Sequence, residues 1–519
     1  MHLTQALKRA VQIKGNEIAS FCAGRERTWL EARERIARLA AALYSLGIKD
    51  GERAAILALN SDRYLEYFYA TPWAGGVFVP INIRLAAPEI EFWLNDSGSR
   101  VLLIDDRFLP VLAALQGKLD TVAHVIYVGD NNCPDGLLDY EQLVASHPPM
   151  EDTNRGYEDL AGLFYTGGTT GRSKGVMLSH RNLVTNSYNA VPALGLATDM
   201  KWLHAAPMFH IADGCAIFGV TAVAGTHIVI PAFAPEATLQ AIQTHGITNT
   251  LLVPTMVNMV VNDPDVLNYD LSSVRGITYG ASPMPEAIIV RAMEVMPDCG
   301  FTHAYGQTEC SPLVSTSGPE CHVLAGPNAG MFKSAGRAVI GVELTIKDGQ
   351  GQEVPRGTIG EICSRGAHVM QGYWRQPELT ANTIKDGWLH SGDAGYMDER
   401  GYIYVIDRIK DMIISGGENI YSAEVENALY QHEAVVECAV IGIPNEQWGE
   451  SVHAIVRLHA NQPATQEELI AFCRSLIAGF KCPRSVSFRD APMPLSGAGK
   501  ILKTKLREPF WPDQSKGVN

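Results

Sequence analysis

Residues 166–175 read TGGTTGRSKG, and eight of these ten are Gly, Ser or Thr. Backbone amides and hydroxyls in such a loop can wrap phosphate oxygens, and Lys174 adds a mobile positive charge. A strand-like run, LAGLFY at 160–165, precedes the loop, and a helix that Ser179 is expected to cap follows it. It is not a loop of the GxxxxGK[ST] kind, because Arg172 follows Gly171 where lysine would have to stand. Phosphate binding is therefore expected of Thr166, Gly167, Gly168, Thr169, Thr170, Gly171 and Lys174. Four further clusters set a carboxylate, a cation or a hydroxyl beside glycine. They are Tyr305-Gly306-Gln307-Thr308-Glu309, Trp388-Leu389-His390-Ser391-Gly392-Asp393, Asp407-Arg408-Ile409-Lys410-Asp411 with the later Gly416-Gly417-Glu418-Asn419, and Gly499-Lys500-Ile501.

Such residues need a scaffold, and the first half of the chain supplies β-rich runs alternating with helical segments, as a parallel sheet with crossover helices demands. Strands are expected at 54–59, 76–81, 101–104, 125–128, 227–230, 250–253, 277–280 and 301–306, with a helix at 61–73. From about Gly326 the pattern changes. VELTIKDGQGQEV carries a DG turn between strand-like runs, and GTIGEICSRG and GYIYVIDR follow without long helices, which fits a small antiparallel sheet or barrel. After Arg408 the remaining residues suffice for one α+β domain, in which Ser422 is expected to cap the helix SAEVENALYQH and strands fall near 435–441 and 453–458. The expected fold class is α/β. A large N-terminal domain of two doubly wound sheet layers carries a small β-barrel-like subdomain, and a small α+β C-terminal domain follows. The expected boundaries are 1–408, a hinge at 409–411, and 412–519.

The 519 residues exceed what one hydrophobic core usually organises. A formal charge of −14 repels phosphate backbones rather than gathering them, so nucleic acid is not an expected partner. The ten cysteines are scattered and form no CxxC pair, which supports neither a zinc site nor a disulfide framework. The start, MHLTQALKRAVQIKGNE, has no apolar core and does not read as a secretory signal, so cytoplasm is the expected compartment. Residues 214–234 contain no Asp, Glu, Lys or Arg, about the length that spans a bilayer. Three glycines, His227 and Pro231 instead divide the stretch into a helix and a short strand, and no integral membrane segment is expected.

The loop at 166–175 resembles the signature of the adenylate-forming superfamily, which includes acyl-CoA synthetases, coumarate-CoA ligases, luciferase and peptide-synthetase adenylation domains. The other four clusters match that superfamily's motifs in order, from residue 165 to 507, including GKILKTKLR at 499–507. The resemblance implies ATP-dependent activation of a carboxylate, with ATP, magnesium and coenzyme A as cofactors and a small carboxylic acid as substrate. It also implies a large AMP- and acyl-binding domain followed by a mobile C-terminal one. A homodimer is left open. By the same resemblance Glu309 ligates magnesium, Thr308 offers its hydroxyl to the α-phosphate, and Tyr305, flanked by Ala304 and Gly306, presents a face to adenine. Gly280, Ala281 and Ser282 meet the adenine edge, and Asp393 with Arg408 takes the ribose hydroxyls. Lys500 is implied as the catalytic cation that bridges the carboxylate and the α-phosphate as they join, a charge arrangement chemistry requires. Here the chain reads Ser496-Gly497-Ala498-Gly499-Lys500, where many relatives read SGK. Rotation about Lys410 is implied to exchange Lys500 for the segment around Gly417. Trp448 and Lys481 are the expected contacts for the adenine and a phosphate of coenzyme A.

His210, in APMFHIADG, aligns with a histidine that in relatives borders the acyl site. It argues against amino-acid substrates, whose enzymes place an aspartate near that point, although Asp213 stands close by. Val253, Pro254, Met256, Thr302 and His303 are expected to supply a mostly apolar wall. The expectation is an acid:CoA ligase for medium- to long-chain fatty acids, with aromatic acids second, and a carrier-loading adenylating enzyme as a third reading.

Overall fold

Parallel strands covered on both faces read as nearly continuous apolar runs, and that is what the centre of this chain contains. Strands Arg53–Leu57 and Val77–Pro80 are buried along almost their whole length. They pair in parallel, Ala54 opposite Phe78 and Ala55 opposite Val79. The computed structural model describes residues 1–166, 173–282, 284–416, 418–460, 462–495 and 501–511. The chain divides into two compact units, residues 1–343 with 364–389, and residues 344–363 with 390–519.

The first unit holds an eight-stranded and a nine-stranded sheet. In the eight-stranded sheet Gly372–Tyr373, Lys174–Ser179 and Leu160–Thr166 lie beside Val77–Pro80 and Arg53–Leu57. In the nine-stranded sheet Leu313–Ser317, Gly300–Gly306, Gly276–Gly280, Asn249–Leu251 and Lys201–His204 are consecutive neighbours. Pairing is parallel through the middle of both and turns antiparallel at Leu160–Thr166 with Lys174–Ser179, and at Gly300–Gly306 with Leu313–Ser317. Helix Asp62–Trp73 starts where the Ser61 hydroxyl accepts the Tyr64 N–H, and every one of its residues is buried. Its buried carboxylates are paired, Asp62 with Arg25 at 2.8 Å and Glu66 with Arg35 at 2.6 Å, which allows the whole helix to lie inside the unit rather than on its surface. Residues 214–234 fall into helix Ile211–Ala222 and strand Thr226–Val229, and no helix among the described residues is long and apolar enough to cross a membrane.

The expected strands appear within a few residues of their predicted limits, for instance Gly276–Gly280 and Gly300–Gly306. Ser179 caps helix His180–Ala193 as predicted, through a reciprocal bond with Asn182.

The second unit takes in most of strands Gly360–Arg365 and Trp388–Met397, with Ile403–Arg408 antiparallel to the latter. It continues through helix Ser422–Leu429 and the long hairpin of Val435–Asn445 with Gly449–Leu458. Its apolar core gathers Ile413, Val425, Leu429, Val440, Val452 and Leu469. One expectation fails here. Ser422 is the first helical residue rather than the cap, and its hydroxyl donates to Asp407 Oδ2 at 2.6 Å. The Asp407 carboxylate also accepts the Ser422 and Ala423 N–H groups, so a residue from the preceding strand serves the helix end in place of a local cap.

Candidate active site

Strands Leu160–Thr166 and Lys174–Ser179 run antiparallel with Thr166 opposite Lys174, so both ends of the Gly-rich loop are fixed to one sheet. Gly167, Gly168, Thr169, Thr170 and Gly171 lie outside the described residues. Thr166 Oγ1 is buried without a hydrogen-bond partner among the described residues, a position that suits an acceptor brought by a ligand. Across from it the Lys174 ammonium donates to Tyr373 Oη at 2.9 Å and lies 4.1 Å from the centre of that ring. The Tyr373 hydroxyl in turn donates to Glu309 Oε1 at 2.8 Å, and Lys174 Nζ stands 3.9 Å from the same carboxylate. Burial, followed by the Glu309 charge, pushes the Tyr373 phenol well above its ordinary range, so its proton is retained. Among the described residues no hydrogen bond reaches Glu309 Oε2. A hard carboxylate oxygen left open beside an ammonium suits a divalent cation carried by phosphates.

Thr308 and Glu309 sit on a turn, Thr308–Cys310, directly after strand Gly300–Gly306. The last residue of that strand must be glycine, because any Cβ at Gly306 would come within 1.7 Å of the Pro312 carbonyl oxygen. The neighbouring strand places Gly280 opposite Ala304, again at a separation that excludes a side chain, with 2.2 Å from a built Cβ to Ala304 O. Ala281 follows with φ of 68°, a left-handed conformation that alanine rarely adopts and that turns the chain away from the sheet. Gly280, Ala281, Ser282, Ala304, Tyr305, Gly306, Thr308 and Glu309 thus occupy or follow the ends of adjoining strands of the nine-stranded sheet, and Lys174, at the start of a strand of the eight-stranded sheet, comes within 3.9 Å of Glu309. Strand ends of an α/β sheet are where such folds place ligands.

His210 precedes helix Ile211–Ala222, and its Nδ1 accepts the Ala212 N–H at 3.3 Å. That helix reaches the Glu309 turn through Cys215 Sγ, 3.2 Å from Ser311 O. Asp213 is fully buried; its Oδ2 accepts a hydrogen bond from His204 Nδ1 at 2.8 Å, and its Oδ1 has no hydrogen-bond partner among the described residues. The predicted acyl wall divides. Thr302 and Ala304 lie on one face of their strand and His303 and Tyr305 on the other, so Thr302 and His303 cannot line the same surface. His303 stacks on Tyr279 at 5.0 Å and its Nδ1 donates to Ser334 O at 3.0 Å.

In the second unit Asp393 Oδ1 meets Arg408 Nε at 2.7 Å across paired strands. Glu361 holds the turn before Asp393, accepting from Gly392 N at 2.8 Å and pairing with His390 Nδ1 at 2.7 Å. Lys410 is exposed on the turn Ile409–Asp411. Trp448 is 37% exposed, with the Arg484 guanidinium 5.2 Å from its ring, while Lys481 is paired with Glu424 at 2.7 Å. Lys500 and Gly417 lie outside the described residues. The residues after Lys500 are anchored, since Lys503 Nζ meets Glu426 Oε1 at 2.7 Å and Ser422 Oγ at 2.6 Å, and Arg507 meets Asp411 at 2.9 Å.

Sequence reasoning passed over Tyr373, Asp407 and Lys503. Asp407 and Lys503 stood inside recognised motifs, which was a usable signal, whereas Tyr373 stood in QGYW with no reactive neighbour.

The model of the AMP-binding enzyme family matches residues 7–374, and that of the AMP-binding enzyme C-terminal domain matches residues 424–500. A feruloyl-CoA synthase of Amycolatopsis sp is 40% identical over 485 residues, 93% of this chain and 94% of that protein. The fatty acid–[acyl-carrier-protein] ligase ScoC of Streptomyces coeruleorubidus is 36% identical over 96% of this chain and 95% of its own length. Among solved structures, the anthranilate CoA ligase AuaEII in complex with anthranoyl-AMP superposes with a TM-score of 0.90 at 27% identity, covering 98% of this chain and 97% of that one. Matches of this extent mean that the chain belongs to the AMP-binding enzyme family of the adenylate-forming superfamily and is an acid–thiol ligase.

Proposed function

We propose that the protein is an ATP-dependent acid:CoA ligase that forms an acyl-AMP with release of pyrophosphate and then transfers the acyl group to the thiol of coenzyme A. The observation that carries this reading is the Lys174–Tyr373–Glu309 constellation beside the unpartnered Thr166 hydroxyl, a cation and an open carboxylate at the mouth of a Gly-rich loop. Carboxylate attack on the α-phosphate concentrates negative charge, which fixed donors and cations must balance. In this reading Thr166, the loop to Gly171 and Lys174 hold the phosphates. Thr308 reaches the α-phosphate, and Glu309 is the residue that would hold magnesium, whose chemistry is to neutralise the phosphate oxygens. Tyr305 and residues 280–282 receive adenine. Asp393 is suited to the ribose hydroxyls because its carboxylate accepts two bonds at once and is already oriented by Arg408. Lys500 bridges the joining oxygens. Lys410, Gly417, Trp448 and Lys481 serve the thioester step, and Lys481 must exchange Glu424 for a phosphate to do so.

The acid has an apolar body. Aromatic acids come first because the feruloyl-CoA synthase relative spans nearly the whole chain at 40% identity, while the fatty-acid relative keeps fatty acids as the second reading. The amino-acid class is disfavoured by His210, which stands near where the enzymes of that class place an aspartate. Mass spectrometry of the products formed from pooled aromatic and fatty acids with ATP, magnesium and coenzyme A tests the proposal. Acyl-CoA thioesters are the expected result. Pyrophosphate without any thioester would replace coenzyme A by a carrier-protein thiol.

A further inference from the structure

Tyr373 belongs to none of the motifs that disclosed the site, yet it joins the two groups of opposite charge within it. Its two-residue strand pairs with the strand that begins at Lys174, Tyr373 opposite Val176, and its N–H donates to Thr380 Oγ1 at 2.9 Å. Glu309 is held independently, since the Met370 N–H donates to its carbonyl at 2.9 Å. The backbones therefore fix where all three side chains start, and the phenol decides how they meet.

An ammonium only donates and a carboxylate only accepts, so the hydrogen-bond order is fixed as Lys174 to Tyr373 oxygen and Tyr373 hydrogen to Glu309. The phenol also keeps the two charges 3.9 Å apart rather than in direct contact. We propose that Tyr373 is a positioning residue for the metal–nucleotide complex: its hydroxyl occupies Glu309 Oε1, leaves Oε2 to a divalent cation, and prevents Lys174 from closing on the carboxylate before the phosphates arrive. Phenylalanine at 373 would keep the ring under the ammonium but not the spacer. Lys174 would then neutralise Glu309 directly, and the carboxylate would lose much of its attraction for a cation.

This inference rests on the nucleotide-binding reading, and the test separates the two. Calorimetric titration compares ATP binding to wild type and Tyr373→Phe, once with magnesium and once with EDTA, and manganese electron paramagnetic resonance counts bound metal in the presence of ATP. Tyr373→Phe is expected to weaken binding of the magnesium complex roughly tenfold, the size of one hydrogen bond to a charged group, and to leave ATP affinity in EDTA within about threefold of wild type. In a Glu309→Gln background the same substitution should add nothing in the magnesium arm. Wild-type affinity of Tyr373→Phe for magnesium–ATP, or an equal loss in both arms as a general packing defect would give, overturns the positioning role. A wild-type protein that binds ATP in neither arm overturns the nucleotide-binding reading itself.

Discussion

At the scale of single residues, Glu309 and Lys500 carry the most weight. Replacing Glu309 by Gln keeps its size but halves its capacity to accept, so the magnesium concentration needed for half-maximal pyrophosphate release should rise roughly tenfold or more, read by titrating the metal at fixed ATP. Lys500→Ala should slow acid-dependent pyrophosphate release by roughly 10² to 10⁴-fold, several kcal/mol of transition-state stabilisation, and unchanged release would remove Lys500 from the reaction. Both residues were singled out in the sequence because each sits in a motif whose neighbours suggest its role, and Lys500 lies outside the described residues. Tyr373 was not, since its partners lie 199 and 64 positions away in the chain and only the folded sheet edge brings them within 3 Å. The acyl wall was read too simply: Thr302 and His303 are neighbours in sequence, but strand alternation puts them on opposite faces, so the two cannot line one surface.

Among the elements, the anchoring of the segment after Lys500 has a measurable consequence. Lys503, Glu426, Ser422 and Asp407 form one connected set linking that segment to helix Ser422–Leu429 and to the strand ending at Arg408. Burial raises the Glu426 carboxyl, offset by the Lys503 charge, so deleting the cation strands an acid in a poorly solvated place. Lys503→Met should cost about 2 to 3 kcal/mol of stability by thermal or denaturant unfolding, and Glu426→Gln added to it should recover part of the loss. A melting curve unchanged by Lys503→Met would mean that the pair contributes nothing. Most strands were readable from β-branched runs between turns. The helix at Ser422 was placed correctly but its cap was not, because the group that serves it arrives from 15 residues upstream.

For the molecule as a whole, two expectations follow. His180 and His368 are almost fully enclosed, and burial pushes each imidazole down from 6.5 to about 4. The unfolded chain therefore takes up protons near pH 6.5 while the folded chain does not until about pH 4. Their contribution is present above pH 6.5 and is lost as pH falls toward 4. The melting temperature should decline over that window, and His368→Asn should flatten the decline. The second expectation concerns the turn at 409–411. If the C-terminal domain changes position about Lys410, Lys410→Pro should impair thioester formation far more than pyrophosphate release, whereas equal loss of both steps would count against that motion. The α/β class and the smaller C-terminal α+β portion were evident from the alternation of runs. That the chain passes between its two compact units at 343, 363 and 389 was not, because such passages depend on which distant strands pair rather than on local composition.

The central claim is that this site joins a carboxylate to the α-phosphate of ATP, and acid-dependent exchange of labelled pyrophosphate into ATP, with magnesium present and no thiol, tests it without reference to the final acceptor. Exchange that requires an aromatic or fatty acid and collapses in Glu309→Gln and Lys500→Ala is the predicted result; a wild-type protein that binds ATP yet supports no exchange with any acid of either class would contradict it.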